Sequence, residues 1–377
     1  MLIIKNGIIH DAVNPEPFKA DILVESGKIV RIAEDISAPD ATVYDAEGKD
    51  IYPGFIDVHS HIGMFGYCSM TKEDVEKNDY FTPNNKGLDA IDILEPGFQV
   101  AAKAGVTTVC VGPGSVGCIT GTAVALKTYG THIDEMVVKD PVAMKAAMGE
   151  NTKLRMPNKV TTRMTITSVI RDSLIQAKEY KDKKDRATET LSAMPSYNPK
   201  LEALIPVIEK KIPLKVHAYQ TNDLFAILRI AKECDVDITL EHAADAYMLA
   251  DELIKEDIPV AMGPFWGQAT KYEAANKSPV KALELLRAGC CLSVMTDAPI
   301  TSEEYLPLCA GLLMREGASE FEALQTITLN PAKHLRIADK VGSIEVGKDA
   351  DFVIANGCPM QMTVKPDAVF INGEMVG

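Results

Sequence analysis

Two histidines separated by one residue close the segment Pro53-Gly54-Phe55-Ile56-Asp57-Val58-His59-Ser60-His61. On a β-strand, residues i and i+2 project from the same face. A strand ending here therefore aims both imidazoles at one point. Two ligands of one metal ion need that convergence, because zinc–nitrogen bonds are only ~2.0–2.1 Å long. The plain alternative is a strand that ends in polar side chains. The other histidines bear on the choice. The chain has seven. His217 ends Leu214-Lys215-Val216-His217, and His242 ends Ile238-Thr239-Leu240-Glu241-His242. A further apolar run, Leu292-Ser293-Val294-Met295, leads into Thr296-Asp297, and Met144-Lys145-Ala146-Ala147-Met148-Gly149-Glu150 carries two more polar side chains in strand-like surroundings.

Such residues need a scaffold that brings strand ends together. Short apolar runs at 55–58, 107–111, 142–148, 214–217, 238–241, 260–262 and 292–295 alternate with helical patterns at 93–104, 201–210, 222–234, 246–256, 279–288 and 319–326; a charged helical stretch covers 168–192. Strand–helix alternation on this scale predicts a parallel barrel or a doubly wound sheet. No Gly-x-Gly-x-x-Gly follows the first strand, which disfavours dinucleotide binding. A TIM-type barrel carries its active site at the C-terminal ends of its strands, where these histidines stand. The two chain ends read differently. Strand–turn–strand patterns surround Asn6-Gly7, Ser26-Gly27 and Asn372-Gly373, and 342–354 reads as another strand pair. Residues 1–51 and 342–377 are therefore expected to join into one small β-sandwich, with 52–341 as the barrel.

The composition narrows the partners. Hydrophobic residues make up 46% and charged residues 24%, with a net charge of −14. That balance argues against nucleic acid or an anionic membrane as a partner. No run approaches the ~20 apolar residues of a membrane span, and the N-terminal stretch lacks the pattern of a secretory signal. The eight cysteines include no CxxC pair, so reduced thiols in a cytoplasmic protein are expected.

Taken together, the motifs resemble those of the amidohydrolase superfamily of metal-dependent hydrolases. The resemblance rests on residues 53–61, Gly105-Val106-Thr107-Thr108-Val109, the strand-end His217 and His242, and Ser293-Val294-Met295-Thr296-Asp297. It extends to Asn330-Pro331-Ala332-Lys333-His334-Leu335 and to 342–352, and so runs end to end. Within the superfamily the chain looks most like the imidazolonepropionase- and dipeptidase-related subgroup. The resemblance implies a (β/α)8 TIM-type barrel with a composite β-sandwich. It implies one or two divalent ions per chain, usually Zn2+, and a small-molecule substrate, in a family that is commonly oligomeric. His59, His61 and Asp297 would bind the more buried ion, and His217 and His242 the second. The bridging carboxylate in such enzymes is often a carboxylated lysine. Lys145 stands in that place, in a pattern similar to that of isoaspartyl dipeptidases, and Glu150 is its rival.

The implied chemistry is hydrolysis of an amide or cyclic amide C–N bond. A divalent ion lowers the pKa of a bound water from 15.7 to roughly 7 and polarises the carbonyl under attack. Asp297 would accept the water's proton and hand it to the leaving nitrogen; a helix N-cap ahead of Pro299 is its plain alternative. Deamination of a ring amine is the competing reaction on the same scaffold, and a non-catalytic scaffold is a third reading. The glycine-rich segment 112–121 is a candidate cradle for a substrate carboxylate. His132 and Arg155 are candidate substrate contacts, and Trp266 could shape the pocket. Runs 65–87 and 149–160, with Tyr67, Glu73, Asn84, Asn85 and Asn151, are expected to line it. His10 and His334 are expected to stay clear of the metals.

Overall fold

The computed structural model describes every residue except 67–71, 157, 192, 268, 270 and 377. Eight strands form a ring: β1 (Phe55–Ser60), β2 (Val106–Val111), β3 (Ile119–Lys127), β4 (Val137–Ala147), β5 (Leu214–Ala218), β6 (Ile238–His242), β7 (Val260–Met262) and β8 (Leu292–Val294), hydrogen-bonded to one another in chain order. A parallel bridge joins Ser60 to Ala298, just past β8, and the His61 amide donates to the Ala298 carbonyl at 2.9 Å. The sheet is thereby nearly closed. Every residue of β1, β2, β5, β6, β7 and β8 is buried, as strands covered on both faces require. Gly54 lets β1 start tight against β2, since a Cβ there would lie 2.1 Å from Oγ1 of Thr107.

The ring departs from strict (β/α)8 alternation at β3, which runs antiparallel to both β2 and β4. The sequence presents 112–121 as a loop, yet Ile119, Thr120 and Gly121 open this strand. The reason is length. Only residues 112–118 separate β2 from β3, and a parallel crossover needs a dozen or more residues whereas an antiparallel connection needs few. The remaining strands, including all seven expected from the sequence, pair in parallel with their ring neighbours β1–β2, β4–β5, β5–β6, β6–β7 and β7–β8. The charged stretch forms one long helix, Arg163–Thr190, opened by a Thr162 side-chain cap.

Strands from both chain ends pair in a second sheet. Phe352–Ala355 lies antiparallel to Asp50–Pro53, and Ile4, Ile22, Ile51, Phe352 and Phe370 pack together on it. Ser26-Gly27 and Asn372-Gly373 are two-residue hairpin turns with both residues at positive φ. Asn6-Gly7 is not a hairpin. Strand Leu2–Ile9 continues through it with a register shift, and the Asn6 amide donates to Oδ1 of Asp21 at 2.9 Å, the behaviour of a bulge. Residues 342–351 likewise form no strand, only a bridge between Asp349 and Lys28.

Candidate metal centre

The ends of β1, β5, β6 and β8 and the body of β4 converge on one point. Nε2 of His59 lies 3.5 Å, and Nε2 of His61 3.4 Å, from Oδ1 of Asp297. Nε2 of His242 lies 3.9 Å from the other oxygen. The His217 ring stands 4.4 Å from the His242 ring, centre to centre. His59, His61 and Asp297 each offer a ligand atom within 4.8 Å of the others. His242 and Asp297 hold left-handed backbone conformations, with φ of 68° and 53°. Residues other than glycine adopt these at a cost, and such residues cluster at functional sites.

Three of the four imidazoles are oriented by a partner on their outer side. Nδ1 of His59 donates to Oε2 of Glu241 at 3.0 Å, Nδ1 of His61 to the Gly112 carbonyl at 2.7 Å, and Nδ1 of His242 to the Gly263 carbonyl at 3.1 Å. A carboxylate or carbonyl can only accept, so these three rings present an unprotonated Nε2 inward. His217 contacts the Asn151 amide through Nε2 at 3.2 Å, while its Nδ1 is buried with no hydrogen-bond partner among the described residues. A buried orphan of this kind needs an explanation, and a metal ion supplies one. Three imidazoles braced from behind, a fourth with an unpartnered ring nitrogen and a carboxylate between them fit a divalent cation.

Burial first, then neighbouring cations, keep the rings neutral. His59 and His217 are held well below the usual histidine range, and His242 is lowered to about 4. Burial would raise the Asp297 carboxyl, but His242, His61 and His59 overcome it and hold the group ionised.

Lys145 and Glu150 part company. Nζ of Lys145 is buried 3.1 Å from Nε2 of His59, and burial lowers its pKa to about 8. Glu150 is not on the strand. It opens the short helix Glu150–Arg155 and its amide donates to Glu273 at 2.9 Å. His132 caps a surface turn, and His10 stacks on Tyr52. His334 approaches the centre indirectly, donating to Oε1 of Glu241 at 3.0 Å. Glu241 also faces Lys215 at 2.7 Å, so a fully buried ionic cluster stands behind His59. The sequence held a signal for it: Lys215 and Glu241 are charges inside otherwise apolar strands, and buried charges must be paired.

A cavity of about 410 Å³ opens above the centre, reached by His61, His217, His242, Asp297, Asn151, Arg155 and Trp266. Glu73, Asn84 and Asn85 line a neighbouring cavity of about 290 Å³; Tyr67 lies outside the described residues. The glycine-rich segment borders the main cavity at Gly114, Ser115 and Val116. As an anion cradle it is weak, because the amides of Gly112, Gly114 and Cys118 already bond to Ser60, Asp74 and Tyr80.

A family model described as the amidohydrolase family matches residues 51–376. The chain belongs to the amidohydrolase family. A crystal structure of an amidohydrolase from Thermotoga maritima MSB8 is similar to it over 100% of both chains, with a TM-score of 0.96 and 35% identity. The amidohydrolase tasK of Hapsidospora irregularis is 29% identical over 94% of this chain and 39% of its own length. A dihydroorotase of Caldanaerobacter subterraneus subsp. tengcongensis is 35% identical over 30% of this chain and 21% of its own length. The matched stretch covers less than half the length of either of these two relatives.

Proposed function

We propose that this amidohydrolase cleaves an amide or cyclic amide C–N bond of a small molecule at a centre of two divalent ions, zinc foremost. His59, His61 and Asp297 would hold the buried ion, His217 and His242 the outer one, and Lys145, carboxylated on Nζ, would bridge them. The observation that carries the reading is the Lys145 amine, 3.1 Å from the inward nitrogen of His59 with its pKa lowered to about 8. A neutral amine is the form that adds CO2, and burial favours it. The local likeness to a dihydroorotase supports a cyclic amide among the substrates. On this reading 52–341 is the catalytic barrel, with 1–51 and 342–377 as one supporting unit.

Ions bound there would acidify water and polarise the scissile carbonyl. The chain's own groups do the rest. Asp297 borders the cavity as an ionised carboxylate, so it can take the water's proton and return it to the leaving nitrogen. Glu241 keeps the inward nitrogen of His59 free of a proton. A deaminase would need a carboxyl group free to shuttle protons to a ring nitrogen. Glu241 does not serve, since His59, Lys215, Thr239 and His334 occupy it.

The test is a screen of the zinc-loaded chain against N-acyl amino acids, dipeptides, cyclic imides and aminopurines. Amide cleavage is expected. Ammonia released from aminopurines with every amide left intact would replace this reading with deamination.

A further inference from the structure

The protein carries a net charge of −14, yet the cavity above the centre is cationic. Lys72, Arg155, Lys271 and Lys277 line it, against Asp74 and Asp297 as its only carboxylates among the described residues. With Asp297 assigned to the metals, four positive side chains face one negative.

Two of the four have partners, and a third lies in solvent. The Lys72 ammonium sits 3.6 Å from the centre of the Phe65 ring, a cation–π contact. Lys271 donates to Oδ1 of Asn151 at 2.8 Å, faces Glu273 at 3.5 Å, and lies over Tyr219. Arg155 is at the exposed rim. Lys277 differs. It is half-buried, and its ammonium makes no hydrogen bond or ion pair with any described residue. Its main chain is fixed, the amide donating to the Ala274 carbonyl at 3.1 Å, just before helix Pro279–Arg287. Burial depresses its pKa, while Cys309 and then Asp297 pull the other way. Partial removal of an ammonium from water without a partner is unfavourable, and a ligand carboxylate would supply the partner through a charge-assisted hydrogen bond.

We propose that Lys277 receives a carboxylate of the substrate, so that the amide cleaved belongs to an N-acyl or N-aminoacyl amino acid. This rests on the amide-hydrolysis reading above and adds the substrate class. The half-buried Lys277 ammonium, unpartnered among the described residues, matches one carboxylate. Phe65, Val116, Pro264, Trp266 and Ile300 give the same cavity an apolar wall, suited to the acyl group or side chain of such a compound.

The test compares kcat/KM of the zinc-loaded chain for N-acetyl amino acids and dipeptides with their C-terminal carboxamides. The wild type is expected to favour the acids by about 10- to 100-fold, the range of a hydrogen bond to a charged group, with the difference in KM. Lys277→Gln should bring the ratio near one, and Lys277→Arg should keep most of it. Equal rates for acid and carboxamide, or a ratio untouched by Lys277→Gln, would overturn the inference while leaving amide hydrolysis standing. Calorimetric binding of N-acetyl-L-phenylalanine and its amide separates the two readings. If no amide is cleaved but the acid binds more tightly than the amide only when Lys277 is present, the carboxylate site at Lys277 survives, while the proposed function falls and the substrate class with it. No acid preference in binding overturns the inference too.

Discussion

Glu241 accepts a hydrogen bond from Nδ1 of His59 at 3.0 Å, across 182 positions of sequence. The same carboxylate faces Lys215 and His334. Burial opposes its charge, but Lys215 and His334 prevail and hold it well below the usual carboxylate range. Glu241 thus fixes the His59 tautomer while neutralising a lysine in the core.

Glu241→Gln is therefore expected to act twice. Loss of an orienting partner behind a metal-binding histidine weakens metal affinity by ~10- to 100-fold. Leaving Lys215 buried without its counter-charge destabilises the fold by ~3–5 kcal/mol. Adding Lys215→Met should restore much of the stability but not the affinity. Urea unfolding of the metal-free protein and zinc competition with a chelator read the two effects separately. Wild-type zinc affinity in Glu241→Gln would remove the orienting role.

Lys145 leads to a prediction about CO2. With a pKa lowered to about 8 by burial, roughly a tenth of its amine is neutral at pH 7, and most of it above pH 9. With dissolved CO2 held constant at each pH, recovery of activity in metal-stripped protein should accelerate from pH 7 to 9 and then level off, as the neutral amine does. Lys145→Ala should hold fewer than about two zinc ions per chain, the number a two-metal site takes, and ignore bicarbonate. Two ions retained in Lys145→Ala, with no bicarbonate effect in the wild type, would point to Glu150 or to no bridge.

How far the sequence reaches is set by locality. A histidine at the end of an apolar run is visible in sequence, and His59, His61, His217 and His242 each stand at such an end. Asp297 follows a buried run in the same way. What a side chain meets across the ring is not local, so the Glu241–Lys215–His334 cluster showed only as charges in apolar strands. The β3 strand was hidden because its glycines and the short 112–118 connection resemble a loop, and its antiparallel direction depends on a chain length that periodicity does not weigh. Asn6-Gly7 misled for a related reason: Asn-Gly favours a hairpin turn, but the partner strand continues past it and Asp21 holds the bulge.

Asp297 allows a clean separation of charge from backbone. At φ 53° it occupies the left-handed region, which asparagine tolerates and most side chains do not. Asp297→Asn should keep the wild-type melting temperature in the metal-free protein and lose about 10²- to 10⁴-fold in kcat, the range for a missing general base. Asp297→Ala should lose activity and also ~1 kcal/mol of stability. If Asp297→Asn retained activity, the proton would have to pass through another group.

The neutral imidazoles make the metal-free protein acid-sensitive in a defined window. His242 is lowered from 6.5 to about 4, chiefly by burial, and His59 and His217 are shifted the same way. Between these values the unfolded chain binds protons that the folded chain refuses, so stability falls as pH drops from about 6.5 towards 4. For His242 alone the loss amounts to ~3 kcal/mol across the window. Glu241 works in a lower range, since a carboxyl held below its usual value loses its contribution only as pH falls beneath the ordinary carboxylate range. Urea unfolding of chelator-treated protein at pH 7, 6 and 5 should give steadily smaller free energies, with a shallower slope in His242→Gln. An unfolding free energy that stays level from pH 7 to 5 would mean that these rings are protonated in the folded protein, and the set of free inward nitrogens would be lost with them.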